Sequence, residues 1–123
     1  MIPKKVKSLL NKNEIIFLAT SSKENNPNVV CVSCQGIFND KILIGKFMLN
    51  KTLSNLQENN KISIILTNDK EYYQIKGTAE CFESGKWFEK VLELNKGSEY
   101  TPSGAVLISP KEIYDLSSCK KIL

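Results

Sequence analysis

Apolar positions recur along this chain with two rhythms, and the switches between them mark out the elements. After Pro3, the residues Val6, Leu9 and Leu10 fall on one helical face, which predicts a short amphipathic helix closing near Asn11-Lys12-Asn13. Ile15-Ile16-Phe17-Leu18-Ala19-Thr20 follows as an apolar run of β-formers between polar flanks. The turn cluster Asn25-Asn26-Pro27 sends the chain back through Val29 to Gln35, a first hairpin. Asn39-Asp40 then separates Gly36-Ile37-Phe38 from Lys41 to Gly45. Both turn residues tolerate positive φ, so a second tight hairpin is expected.

The helical rhythm returns at Asn50, a candidate cap for a helix carrying Leu53 and Leu56 that ends by Asn59-Asn60. Ile62, Ile64 and Leu66 belong to a largely buried strand, which Asn68-Asp69-Lys70 turns. Next, Tyr73, Ile75, Gly77, Ala79 and Cys81 fall on one face of a strand, with Tyr72, Gln74, Lys76, Thr78 and Glu80 on the other. Ser84 is a candidate cap for a helix whose stripe Trp87, Phe88, Val91 and Leu92 reads as core packing, ending before Gly97. Ala105 to Ser109 is the last strand, and Pro110 marks a bend before Ile113 to Leu116. Strands in neighbouring hairpins with short helices between them predict a mainly β fold, an antiparallel sheet closed into a small barrel. Residues 1–123 form one domain, since no linker or repeat interrupts the pattern.

Charge narrows the partners. The 17 basic residues stand against 13 acidic ones, for a net +4, and all of them are lysine. Lysine is a point charge without the bidentate fork that reads guanine or phosphate, and no lysine block is longer than two. A solvated surface is therefore expected rather than a nucleic-acid groove. No apolar run approaches the roughly 20 residues that span a bilayer, so a soluble, cytoplasmic protein without membrane contact is expected. There is no histidine, hence no imidazole base, no Ser-His pair and none of the usual haem or zinc imidazole ligands. Any demanding chemistry has to come from a cofactor.

Two segments could carry chemistry. In Gly45-Lys46-Phe47-Met48-Leu49-Asn50-Lys51-Thr52 a strand end meets a helix start, where backbone amides, a lysine and a hydroxyl can cradle a phosphate. Cys31-Val32-Ser33-Cys34 has C-x-x-C spacing, but residues three apart on a strand point to opposite faces. Those thiols are expected neither to chelate one metal nor to pair, and with no second such motif no metal site is expected.

The order of these elements resembles the pyridoxamine 5'-phosphate oxidase-like superfamily of FMN-binding split barrels, in particular its small bacterial FMN-binding proteins. The resemblance runs from Ile2 to about Leu116. It is carried by Ile16 to Thr20, Val29 to Gln35, Ile42 to Gly45, the Lys51-Thr52-x-x-x-Leu56 segment, Lys61 to Leu66, and Tyr73 to Glu80 with its Gly77-x-Ala79. It implies a six-stranded antiparallel Greek-key split β-barrel that dimerises with FMN at the subunit interface. Carried over by position, Lys51 and Thr52 hold the phosphate, Cys31, Val32, Ser33 and Cys34 line the isoalloxazine largely through backbone groups, and Gly45, Lys46 and Phe47 border phosphate and ring. Asn25-Asn26 replaces the usual Asp-Gly before the proline, and Gly45-Lys46 stands where an arginine is often found. The implied activity is electron transfer or a small flavin-dependent oxidoreductase, with NAD(P)H or a redox protein as partner. The rival is a non-catalytic barrel module that sequesters flavin or binds nucleic acid.

Overall fold

In the computed structural model, which describes every residue except Met48 and Leu49, backbone pairing turns the period-two stretches into a ring. The elements are α1 (Lys4–Lys7), β1 (Ile15–Ser21), β2 (Pro27–Phe38), β3 (Lys41–Lys46), α2 (Asn50–Glu58), β4 (Lys61–Thr67), β5 (Tyr72–Phe82), α3 (Lys86–Leu94), β6 (Gly104–Asp115) and a short β7 (Lys120–Lys121). Neighbouring strands run in the order β3-β2-β1-β4-β5-β6, every pair antiparallel, and β6 pairs back to β3. That last ladder closes a six-stranded barrel and removes its open edges. β3 and β4 lie across the ring from each other, so the chain crosses between them through α2, which packs on β1, β2 and β5. This crossing makes the barrel a Greek key.

Alternation decides what fills the barrel. Ile16 and Leu18 of β1, Ile62, Ile64 and Leu66 of β4, Ile75 of β5, and Val106 and Ile108 of β6 all point inward and are buried. Ile2, Val6, Leu9 and Leu10 join the same core from the N-terminal segment. β3 and β6 are also buried on their outer side, because α3 lies there and packs Val91 onto Leu43, Ala105 and Leu107. That second layer is why Ile42-Leu43-Ile44 reads as an unbroken apolar run rather than an alternating one. Trp87 belongs to this layer, its ring centroid 6.3 Å from that of Phe38, as expected for a packing residue.

Asn39 and Asp40 adopt φ of 54° and 57°, the positive pair that a tight hairpin requires. Three expectations are corrected. β2 is a single strand through Phe38 rather than two, because one extra residue, Gln35, is absorbed as a bulge between the pairs Cys34–Ile44 and Gly36–Leu43. β6 likewise runs through Pro110, since the register shift opposite Lys76 and Gly77 leaves Lys111 as the extra residue and accommodates the proline there. Ser84 does not cap α3; Gly85 occupies the cap position and no side chain bonds to the helix start.

Candidate functional site

β2 presents alternate residues outward, and its bulge then changes which way the chain looks. Cys31, Val32 and Ser33 line a cavity of about 230 Å³ together with Gly45 and Phe47. A second cavity of about 420 Å³ shares Ser33 and Phe47 and extends to Asn13, Gln35, Asn95 and Tyr100. The two form one cleft running from the β2–β3 ladder to the loop after α3. A Cβ at Gly45 would lie 2.7 Å from the Phe47 ring, so a larger residue there would push that ring out of its place.

The nine expected site residues divide in an orderly way. Cys31, Val32, Ser33, Gly45 and Phe47 come together in the cleft. Lys46, next to them, turns its ammonium to Glu83 at 3.1 Å. Lys51 is exposed in the first turn of α2, which begins three residues after Phe47. Thr52 is 1% exposed, and among the described residues its hydroxyl has no hydrogen-bond partner. Met48 and Leu49 of the expected cradle lie outside the described residues.

Cys34 is corrected. Its side chain enters the barrel core, its N–H donates to the Glu14 carbonyl at 2.8 Å, and its carbonyl accepts from the Asn13 N–H at 2.8 Å. Neither side chain nor backbone is left for a ligand in the cleft. The opposite facing of Cys31 and Cys34 is as their spacing on a strand predicts, and all four cysteines are free.

Burial pushes the Cys34 thiol up to about 11 from an ordinary 9.0, against the smaller opposing effect of the Gly36 N–H bonded to its sulfur. Because the folded value is raised, the thiol stays neutral in the native state while the unfolded state ionises above pH 9. Its contribution to stability is therefore complete below pH 9 and is lost as pH rises through about 11. Urea midpoints followed from pH 8 to 11 should fall more steeply for the wild type than for Cys34→Ala, by on the order of 2 kcal/mol at the upper end. Parallel curves would contradict this reading of the thiol.

A polar cluster under α2 connects helix to barrel. The Asn55 side-chain N–H donates to the Thr20 hydroxyl at 3.0 Å, both groups buried, and Thr20 is paired across the ladder with Asn28. Thr52 lies one turn before Asn55 on the same helix face. These contacts fix how α2, and with it Lys51, is presented.

A larger concavity, about 580 Å³, lies elsewhere, along β1, β4, β5 and β6, with Ala19, Ser63, Gly77, Lys61, Lys76 and Lys111 in its lining. No aromatic side chain lines it, whereas the smaller cleft offers Phe47 and Tyr100. For a flat ring ligand the smaller cleft is the better suited, because the rings of Phe47 and Tyr100 can pack on it. No cluster of three or more metal-ligating side chains occurs among the described residues.

A closed six-stranded barrel with a cleft against β2 and β3 and a helix start beside it defines the split-barrel class. The comparison with known families is specific: residues 2–117 match the model of pyridoxamine 5'-phosphate oxidase, and the chain belongs to that family. It is 40% identical over 119 residues to an uncharacterised protein of Methanocaldococcus jannaschii, covering 92% of this chain and 78% of that one. Among solved structures it is similar to Group A Streptococcus HupZ, with TM-score 0.90 at 23% identity and 100% of both chains covered. It is also similar to an FMN-binding protein from Syntrophomonas wolfei, with TM-score 0.74 at 22% identity over 92% of this chain and 84% of that one.

The sequence reading missed Gln35, Asn13, Asn95 and Tyr100. Gln35 stood at the end of a recognised strand, but the bulge that aims it is set by pairing with β3. Asn95 and Tyr100 reach the cleft only through tertiary packing of α3 and its following loop.

Proposed function

We propose that this protein is a flavoprotein that binds FMN in the cleft shared by Ser33 and Phe47, and that it accepts and passes on electrons as a small carrier or a flavin-dependent oxidoreductase. The observation that carries this reading is a partly apolar slot lined by Ser33, Gly45 and Phe47, with the start of α2 only three residues further along the chain. Phe47 and the β2 backbone suit a flat ring. Lys51, the Thr52 hydroxyl and the first amides of α2 suit a phosphate. The FMN-binding relative from Syntrophomonas wolfei, similar in fold, agrees with that assignment.

When bound, FMN supplies the hydride and electron chemistry that this histidine-free chain cannot supply. The protein's own part is to bind, orient and cover the ring. Lys46 is committed to Glu83, which leaves Lys51 as the principal cation for the phosphate. The test is a titration of the flavin-free protein with FMN, followed by quenching of flavin fluorescence and the visible spectrum. Saturable binding near one FMN per chain is expected, and a colourless protein that leaves FMN fluorescence unchanged would sink the reading.

The homodimer belongs to the same proposal. Ile15, Phe17 and Val29 are 50%, 41% and 65% exposed on the outer faces of β1 and β2. Phe17 lies directly opposite Cys31, so this apolar strip is continuous with the mouth of the cleft, and a second subunit laid on it would wall the site. Sedimentation should give twice the 13.9 kDa chain mass. Phe17→Lys should weaken the dimer by roughly thirtyfold or more. A wild-type monomer that holds flavin at micromolar concentration would contradict the shared site.

A further inference from the structure

We propose that Gln35, aimed by the β2 bulge and held by Asn95, is the hydrogen-bond donor that reads the acceptor edge of the ring bound in the cleft. This rests on the flavin reading above and adds a residue and a direction of hydrogen bonding to it.

Gln35 is the unpaired residue between Cys34, which pairs with Ile44, and Gly36, which pairs with Leu43. A bulge bends its strand and re-aims the extra side chain. Gly36 makes this bulge possible, with φ of 125°, a backbone conformation that side chains of L-residues rarely adopt. Cys34 therefore goes into the core while Gln35, only 3% exposed, lines the cleft.

A buried primary amide can present either its N–H or its carbonyl, and here the neighbour decides. Asn95 stands at the C-terminal end of α3, and its side-chain N–H donates to the Val91 carbonyl at 2.8 Å. A carbonyl can only accept, so the Asn95 amide nitrogen is fixed on that side. The same nitrogen donates to Gln35 Oε1 at 3.0 Å. Gln35 Oε1 is thereby occupied as the acceptor, and Nε2 is turned to the other side. Among the described residues no group accepts from Nε2. A residue in the cleft wall whose carbonyl is held by Asn95 and whose N–H₂ has no acceptor among the described residues is a donor free for a ligand.

A donor beside the ring also stabilises negative charge that builds up on reduction, so it should raise the potential of bound flavin. Gln35→Met keeps the volume and removes the donor. Asn95→Asp leaves Gln35 in place but can no longer donate to Oε1; the carboxylate attracts the Gln35 N–H₂ and turns the carbonyl to the ligand.

The experiment measures FMN and riboflavin affinity and the midpoint potential of bound FMN for wild type and both variants, with melting temperatures alongside. Both variants should lose FMN and riboflavin affinity by the same factor, roughly two- to tenfold, because the ring is common to the two ligands. The potential should fall by about 30 mV for each tenfold by which the reduced form is weakened more than the oxidised one. In the wild type, the Gln35 side-chain N–H₂ resonances should shift on adding riboflavin, a readout that does not depend on any variant folding. Variants that bind both flavins like the wild type, or that lose only melting temperature with the potential unmoved, would overturn the role of Gln35 and leave the flavin reading standing. A wild type that binds neither flavin would overturn both.

Discussion

Replacing Lys51 with alanine should weaken FMN binding by roughly ten- to a hundredfold and leave riboflavin nearly unaffected. A hydrogen bond to a charged group is typically worth about 1.5–3 kcal/mol, which is the origin of that range. The selectivity follows from the chain's composition. No arginine is available, and Lys46 is engaged with Glu83, so Lys51 in the first turn of α2 carries most of the remaining charge for a phosphate. Asn55 and Thr20 hold that helix on the barrel, and the lysine is presented from a fixed platform rather than a loop. The check is a pair of fluorescence titrations with each mutant. Equal losses for FMN and riboflavin would show that Lys51 does not read the phosphate. Together with the Gln35 variants, which should affect both flavins alike, the experiment separates the two ends of the ligand.

The largest loss of stability should come from the middle of the barrel. Ile64 is 1% exposed at the centre of β4, paired with Leu18 on one side and Ile75 on the other, both buried as well. Ile64→Ala removes methyl and methylene groups from a close-packed interior whose walls are closed all round by hydrogen-bonded strands. Such a site collapses poorly around a void, and a loss of about 2–5 kcal/mol is expected. Urea unfolding with an unchanged slope measures it. Leu53→Ala, on the partly exposed side of α2, should cost much less, and a comparable loss there would mean that the barrel interior is not the principal core.

Most of the barrel could be read from local chemistry because its elements are set locally. Asn39-Asp40 accepts positive φ without help from the rest of the fold, and the apolar alternation of β4 and β5 fixes both face and register once the turn at Asn68 is in place. What escaped the sequence is what depends on a partner strand. Pro110 suggests the end of a strand by its missing N–H, yet pairing with β5 carries β6 past it at the cost of one extra residue, Lys111. Gln35 is the same case in β2.

The site shows the same division. Cys31, Val32 and Ser33 of β2 and Gly45 and Phe47 at the end of β3 line one cavity just beyond the β2–β3 ladder, and motif position was enough to bring them together. Cys34 was misplaced because motif position does not encode the switch of direction at the bulge. The bond from Asn95 to Gln35 joins residues 60 apart and has no sequence signature at all. It depends on α3 packing Val91 onto Leu43, Ala105 and Leu107, a contact visible only once the barrel is closed.

The central claim is that FMN occupies the cleft between β2, β3 and the loop after α3. A crystal structure of the protein grown with FMN tests it most directly. The expected result is a ring in contact with Ser33 and Phe47, its phosphate at the start of α2 beside Lys51, and a second subunit covering Phe17. A flavin seated instead in the groove beside Lys61, Lys76 and Lys111, or an empty cleft at saturating FMN, would contradict it.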